Sequence, residues 1–533
     1  MGYTSPSFLL FLTGSILLYF LFPKKYRWTV LLGASLFFYA RASLKGFIYL
    51  AVTSLSTYFA GRILSARNQK DKETVKAIKD REEKKKQKEI LKKKRWHILL
   101  ACLILNFGIL IFLKYLNFMI DTVNALSGFE RYPMLNLLIP LGISFYTFQS
   151  MGYVIDIYNG KLEAEKNFFK FLLFVSFFPQ IIQGPISMYD QLAHQLYEPH
   201  DYDYHNLKRG CELMLWGYFK KMVIADRAVM FLNVVTADYT AYNGTIILLA
   251  LLVYTVQLYA DFSAGIDISR GICEIIGIDM IENFRRPYFA ETINDFWRRW
   301  HISLGTWMKK YIFYPFAVLK PVMNIGKKIK NSSFGKTEYG KHVAKVFPIS
   351  LSSLVVFMVV GFWHGANWKY AGFGLWNGLI IMFSELLKPV FEQMTQALHI
   401  KTASFGFKLF RIIRTLFIVI VGYVFDIAPG LSSSIDMIRR VFFDQAWTAE
   451  TVKTIADISP INKDGAVILC FAVIILFIVS LVQESTGKQI RDMIDEKPWP
   501  LEWAVLFAGM VIVLCFGIYG PGYDAAAFVY MQF

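Results

Sequence analysis

Long apolar runs, broken by short polar or basic segments, set the pattern of this chain. Ser7 to Phe22, Leu44 to Leu64, His97 to Ile120, Phe168 to Ile186, Thr245 to Tyr259 and Phe347 to Trp363 are such runs, followed by Phe407 to Phe425, Ala466 to Val482 and Trp503 to Ile518. Each long run, wound as a helix, is able to cross a hydrocarbon core of about 30 Å. With shorter runs counted, the pattern predicts an all-α polytopic membrane protein with on the order of 11 to 13 spanning or re-entrant helices. Residues 1–533 read as one integral membrane domain, with N-terminal spans over 1–65, a basic loop over 62–96, a core over about 100–430, and C-terminal spans with an aromatic tail over 465–533. The first run has no basic residues before it and no small-residue cleavage site after it, so it reads as a retained span and not as a signal peptide.

Composition supports this reading. The chain is 55% hydrophobic and only 18% charged, with a mean hydropathy of +0.41, the balance of an integral membrane protein. Five cysteines, Cys102, Cys211, Cys273, Cys470 and Cys515, are scattered without CxxC spacing, and predict neither a disulfide framework nor a metal site.

The net charge of +17 is concentrated, and its placement predicts orientation. Arg62 to Arg95 holds 15 Lys or Arg against 6 Asp or Glu, and Lys309 to Lys345 holds nine lysines against Glu338 alone. The positive-inside rule places both segments in the cytoplasm. Alternating backwards puts Lys24, Lys25 and Arg27 on the same side and leaves the N-terminus outside; the C-terminus is expected to be extracytoplasmic as well. The three- and four-residue spacing of charges over 62–95 is compatible with a solvated helix touching lipid headgroups. Nucleic acid is a poor partner for it, because no aromatic-lined groove is present to take bases.

Two histidines stand out from the eight. His364 lies in Val360-Gly361-Phe362-Trp363-His364-Gly365-Ala366-Asn367-Trp368, at the end of a wholly apolar helix. An ionisable group there argues for a bundle interior or a water-filled cavity. His301 lies in Asn294-Asp295-Phe296-Trp297-Arg298-Arg299-Trp300-His301-Ile302-Ser303-Leu304. Trp297, Trp300, His301, Leu304 and Met308 share one helical face, so the segment predicts an interfacial amphipathic helix, capped by Asn294 or Asp295, that continues past Lys309. His97, His194, His200, His205, His342 and His399 lie in or beside loops or at helix ends and read as surface or packing residues. Two histidines 63 residues apart with no HExxH spacing are a poor metal site, so none is predicted; a general base suits an imidazole better. There is no G-x-S-x-G elbow, Walker A loop or G-x-G-x-x-G after a strand, so covalent serine-hydrolase, ATPase and dinucleotide readings lack their motifs.

These segments, with Pro140-Leu141-Gly142-Ile143-Ser144-Phe145-Tyr146-Thr147-Phe148-Gln149, Phe177-Phe178-Pro179-Gln180-Ile181-Ile182-Gln183-Gly184-Pro185-Ile186, Tyr259-Ala260-Asp261-Phe262-Ser263 and Glu282-Asn283-Phe284-Arg285-Arg286-Pro287-Tyr288, resemble the membrane-bound O-acyltransferase (MBOAT) superfamily. The likeness is to its bacterial branch of alginate O-acetyltransferases and teichoic-acid D-alanyl transferases, and it runs in order from about residue 140 to about 380. The resemblance implies a helical bundle with a central tunnel, an acyl donor entering from the cytoplasm and an acceptor reached from outside. It implies that His364 is the catalytic histidine and His301 the second polar position of the active site, often asparagine elsewhere in the family. A buried imidazole is able to take the proton of an attacking hydroxyl, while a second orients it or stabilises the oxyanion.

Arg298 and Arg299 are candidates for the phosphates of a coenzyme A donor, although positive-inside anchoring explains them equally well. Trp297, Trp300, Trp363 and Asn367 complete the candidate donor-binding set. No cofactor is expected beyond an acyl-CoA or acyl-carrier-protein thioester as donor substrate. Asp261 reads as half of a structural salt bridge, for instance with an arginine.

The tail Phe528-Val529-Tyr530-Met531-Gln532-Phe533 is unusually aromatic. An aromatic belt residue at the headgroups explains it; the resemblance instead implies that Tyr530 relays the acyl group. The resulting expectation is an O-acyltransferase of the cell membrane that moves an acetyl group toward a cell-surface polysaccharide, helped by an extracytoplasmic serine-hydrolase-like acyltransferase and set among membrane lipid. D-alanyl transfer to teichoic acid is an alternative within the enzyme class. A transporter is the alternative outside it, but no inverted repeat is visible to support one.

Overall fold

The computed structural model describes residues 2–129, 132–520 and 523. Among these the chain is all-α, and the one isolated β-bridge joins Phe284 to Trp300. This is what a lipid solvent demands, since a helix satisfies its own backbone donors and acceptors. The helices Phe47–Ala77, Arg81–Ser127, Gly244–Ile275, Glu338–His364, Lys463–Thr486 and Trp499–Phe516 are long and apolar enough to cross a membrane. A seventh span results if Trp368–Leu386 and Lys388–Ala397, bent by 57°, count as one. The larger number expected from apolar runs includes shorter elements: Pro6–Leu21 is one, and Phe405–Ile427 carries Lys408, Arg411, Arg414 and Asp426.

Two compact units are formed. The first runs to Met214 and adds Gly265–Ile281; the second comprises Leu215–Ala264 and Glu282–Tyr523.

In the first unit, the basic segment over 62–96 is not a loop. It is the end of Phe47–Ala77 and the start of Arg81–Ser127, joined by a tight turn where the Asp80 carboxylate accepts the Glu83 N–H at 2.6 Å. Charges at helical spacing extend the apolar helices into water, so the polar pattern changes without a change in secondary structure. The segments over 140–149 and 177–186 pack together. Gly142 starts the Ile143–Tyr158 helix in the left-handed region (φ 70°), where a Cβ would meet the Ile181 carbonyl oxygen at 2.8 Å. Glycine is the residue that fits both demands. The Pro179 carbonyl accepts from Tyr3 Oη at 2.8 Å and Ser269 Oγ at 2.6 Å.

In the second unit, Thr337 caps the Glu338–His364 helix by accepting the Gly340 N–H at 2.9 Å. This helix packs closely on Trp368–Leu386. A Cβ on Gly361 would lie 2.2 Å from the Tyr370 carbonyl oxygen, and one on Gly374 would lie 2.6 Å from that of Phe357. Small residues at facing positions let two membrane helices approach backbone to backbone. That contact fixes where His364, the last residue of its helix, is presented.

Candidate active site

The predicted single helix through His301 is two helices. Ile293–Arg299 is capped by Thr292, which accepts the Asp295 N–H at 3.1 Å, so the cap is neither Asn294 nor Asp295. Ile302–Met308 follows, and between them His301 takes the left-handed conformation (φ 46°, ψ 53°). A non-glycine residue held there costs on the order of 1–2 kcal/mol, and such strain persists only where neighbours over-determine it. They do so here. The Arg285 N–H donates to the Arg299 carbonyl at 2.9 Å, and the Ile302 N–H donates to the Asn283 carbonyl at 3.0 Å. Of the predicted apolar face, Trp300, His301, Leu304 and Met308 are buried, while Trp297 is half-buried.

The second unit brings His301 and His364 together, at 3% and 8% exposure. The Trp363 ring touches both, with its centroid 5.9 Å from His301 and 5.3 Å from His364. Phe262 stands edge-on to His301 at 4.8 Å, and Phe373 packs against His364 at 5.2 Å. His301 lies outside the membrane-spanning helices. Burial, and secondarily the nearby His364, pushes its imidazole well below its ordinary pKa, so it is neutral at physiological pH. Two imidazoles buried among aromatic rings are placed where one is able to act in proton transfer.

The candidate donor residues scatter into different roles. Trp297 donates its Nε1–H to Asn377 Oδ1 at 3.2 Å, and Trp300 stacks on Phe296 at 5.6 Å. Asn367 caps Trp368–Leu386 by accepting the Lys369 N–H at 3.0 Å. Arg298 is exposed. Arg299 pairs with Glu484 at 2.9 Å and Asp295 at 3.0 Å. Tyr530 lies outside the described residues.

Asp261 is indeed in a salt bridge, but with a lysine and not an arginine. Lys221 Nζ is 2.6 Å from Asp261 Oδ1 and 2.8 Å from Asp226 Oδ1, while Lys220 Nζ donates to Ser263 Oγ at 2.7 Å. Both lysines are buried in a π-helical turn, Phe219–Ala225. Two adjacent lysines inside the apolar stretch around Leu215 and Val223 were a readable signal for this network. Asn283 and Glu484 had no such signal, because neither is near its partner in sequence.

Fold and site together define a multi-pass, all-α membrane protein with a buried two-histidine centre. Residues 162–326 match the sequence pattern of the membrane-bound O-acyltransferase family, MBOAT. The chain is similar to the probable alginate O-acetylase AlgI of Azotobacter vinelandii, with 30% identity over 453 residues covering 84% of this chain and 79% of the relative. It is also similar to the peptidoglycan O-acetyltransferase of Helicobacter pylori, with 29% identity over 79% of this chain and 73% of the relative. Likeness to the teichoic acid D-alanyltransferase of Bacillus subtilis, also 29%, covers 47% of this chain and 60% of the relative. The chain belongs to the membrane-bound O-acyltransferase family, and it is an acyltransferase.

Proposed function

We propose that the protein moves an acetyl group from a cytoplasmic thioester, acyl-CoA or acyl carrier protein, across the membrane toward a cell-surface polysaccharide. The observation that carries this reading is the convergence of His301 and His364 on Trp363 in one buried enclosure. His364 acts as general base. It takes the proton of an acceptor hydroxyl as that oxygen attacks the thioester carbonyl; the carbon–sulfur bond breaks, and the proton passes to the departing thiolate. The acetyl choice is supported by the relatives named for O-acetylation, which align over 84% and 79% of this chain, against 47% for the D-alanyltransferase.

In this reading Tyr530 is the acceptor hydroxyl and relays the acetyl group to an extracytoplasmic serine-hydrolase-like acyltransferase. A phenol with an ordinary pKa near 10 needs a base to become a nucleophile, and His364 supplies it. The basic helical hairpin over 62–96 lies on the cytoplasmic side, with both termini opposite.

Intact-mass and peptide mass spectrometry of the purified protein after incubation with acetyl coenzyme A tests this. The expected result is an acetyl adduct on Tyr530 in the wild type and none in His364→Ala or Tyr530→Phe. Adduct formation in His364→Ala overturns the base assignment. A wild type that transfers acetyl without any adduct overturns the relay, and a wild type inert to acetyl coenzyme A but active with a D-alanyl carrier protein overturns the acetyl donor.

A further inference from the structure

The geometry points to Asn283 as the positioning residue that fixes the tautomer of His301, with the proton on Nδ1 and the lone pair on Nε2. This rests on the reading of His301 and His364 as the reacting centre. Asn283 is wholly buried, and its side-chain oxygen receives two contacts: the backbone N–H of Ser303 at 2.8 Å and Nδ1 of His301 at 3.3 Å.

A backbone N–H only donates, so it fixes which end of the amide faces this corner. The oxygen must be there, because the alternative would press the amide NH₂ against the Ser303 N–H. An amide oxygen only accepts. Nδ1 of His301 must therefore carry the hydrogen, and in a neutral ring Nε2 is then the acceptor. The same residue also holds the backbone, since its carbonyl accepts the Ile302 N–H at 3.0 Å. Asn283 thus grips the two residues that follow the left-handed His301, together with the His301 ring itself, and sets the ring orientation and the tautomer together.

The consequence is chemical. A neutral Nε2 without hydrogen does not donate to a developing oxyanion. It accepts, so His301 orients the attacking hydroxyl, or the proton that His364 has taken, and the oxyanion must find its donors elsewhere.

The test uses full-length protein in lipid nanodiscs carrying ¹⁵N-labelled histidine, with His301→Gln to identify the His301 resonances. The expected spectrum has His301 Nδ1 in the protonated range and Nε2 in the lone-pair range at neutral pH. Asn283→Leu is expected to admit the Nε2–H tautomer and to slow transfer on the order of tenfold or more through kcat. Asn283→Asp, whose carboxylate accepts the same two hydrogen bonds, is expected to keep the Nδ1–H signature and activity within a few-fold of wild type. An Nε2–H tautomer in the wild type, or an unchanged Nδ1–H tautomer in folded Asn283→Leu, overturns the assignment. The wild-type spectrum decides the matter even where Asn283→Leu fails to fold. If the wild type shows Nδ1–H but His364→Ala transfers at full rate, the tautomer assignment stands and the catalytic reading of the site fails.

Discussion

One carboxylate oxygen of Glu484 lies 2.9 Å from Nη1 of Arg299, and the other lies 2.7 Å from Nε of Arg286. A single acid thus ties the Lys463–Thr486 helix to two arginines that bracket the segment leading to His301. Arg286, like His301, is held at positive φ (47°), so the network clamps strained backbone at both ends.

Arg299 already has two carboxylate partners, so its charge serves the scaffold. Arg299→Lys keeps the charge but loses the planar fork that reaches Glu484 and Asp295 together. The expected outcome is a lower thermal midpoint, from about 1–3 kcal/mol of lost charge-assisted hydrogen bonding, with the KM for the acyl donor within about twofold of wild type. A large rise in donor KM at unchanged stability would instead place Arg299 on the donor phosphates.

His364→Ala removes the proposed base at the end of an otherwise intact helix. Transfer is expected to fall about 10²- to 10⁴-fold, with insertion and folded yield unchanged. The check is steady-state transfer from acetyl coenzyme A alongside size-exclusion behaviour in detergent; wild-type rates in a folded variant sink the assignment.

Lys221→Met leaves Asp226 and Asp261 buried without the cation between them. Removing one partner of a buried ion pair destabilises by about 3–5 kcal/mol. Folded yield and thermal midpoint should therefore drop sharply, and Lys221→Met combined with Asp261→Asn should recover part of the loss. A double variant no better than the single one argues against direct coupling.

The depressed pKa of His301 gives stability a pH dependence of known sign. The unfolded chain presents this histidine at about 6.5, while the folded chain keeps it neutral to much lower pH. Below about pH 6.5 the unfolded state binds the extra proton, so the His301 contribution is fully present above that pH and is lost as pH falls. Thermal midpoints measured from pH 7.5 to pH 5 should decline in the wild type more steeply than in His301→Gln. Equal slopes would show that His301 titrates normally in the folded protein.

Much of the site was legible in the sequence because membranes make polar residues conspicuous. His364 at the end of an apolar helix and His301 on a tryptophan-rich face were both visible, and both are buried against Trp363. The break at His301 was not visible. Residues 293–308 keep helical spacing through it, and what interrupts the helix is Asn283, 18 positions away. Likewise Asp261 announced a salt bridge, but its partner lies 40 positions earlier in a π-helical turn that no local pattern specifies.

By itself the sequence determined the solvent and the helical class of the spanning segments. A run of apolar residues long enough to span lipid must be helical, because no water is present to satisfy an open backbone, and this follows from local composition alone. Only the tertiary structure decided how His301 is held, which nitrogen carries its proton, and that Arg299 is spent on Glu484 and Asp295. These depend on hydrogen bonds and ion pairs between residues far apart in the chain, whose reach is fixed by packing and not by spacing.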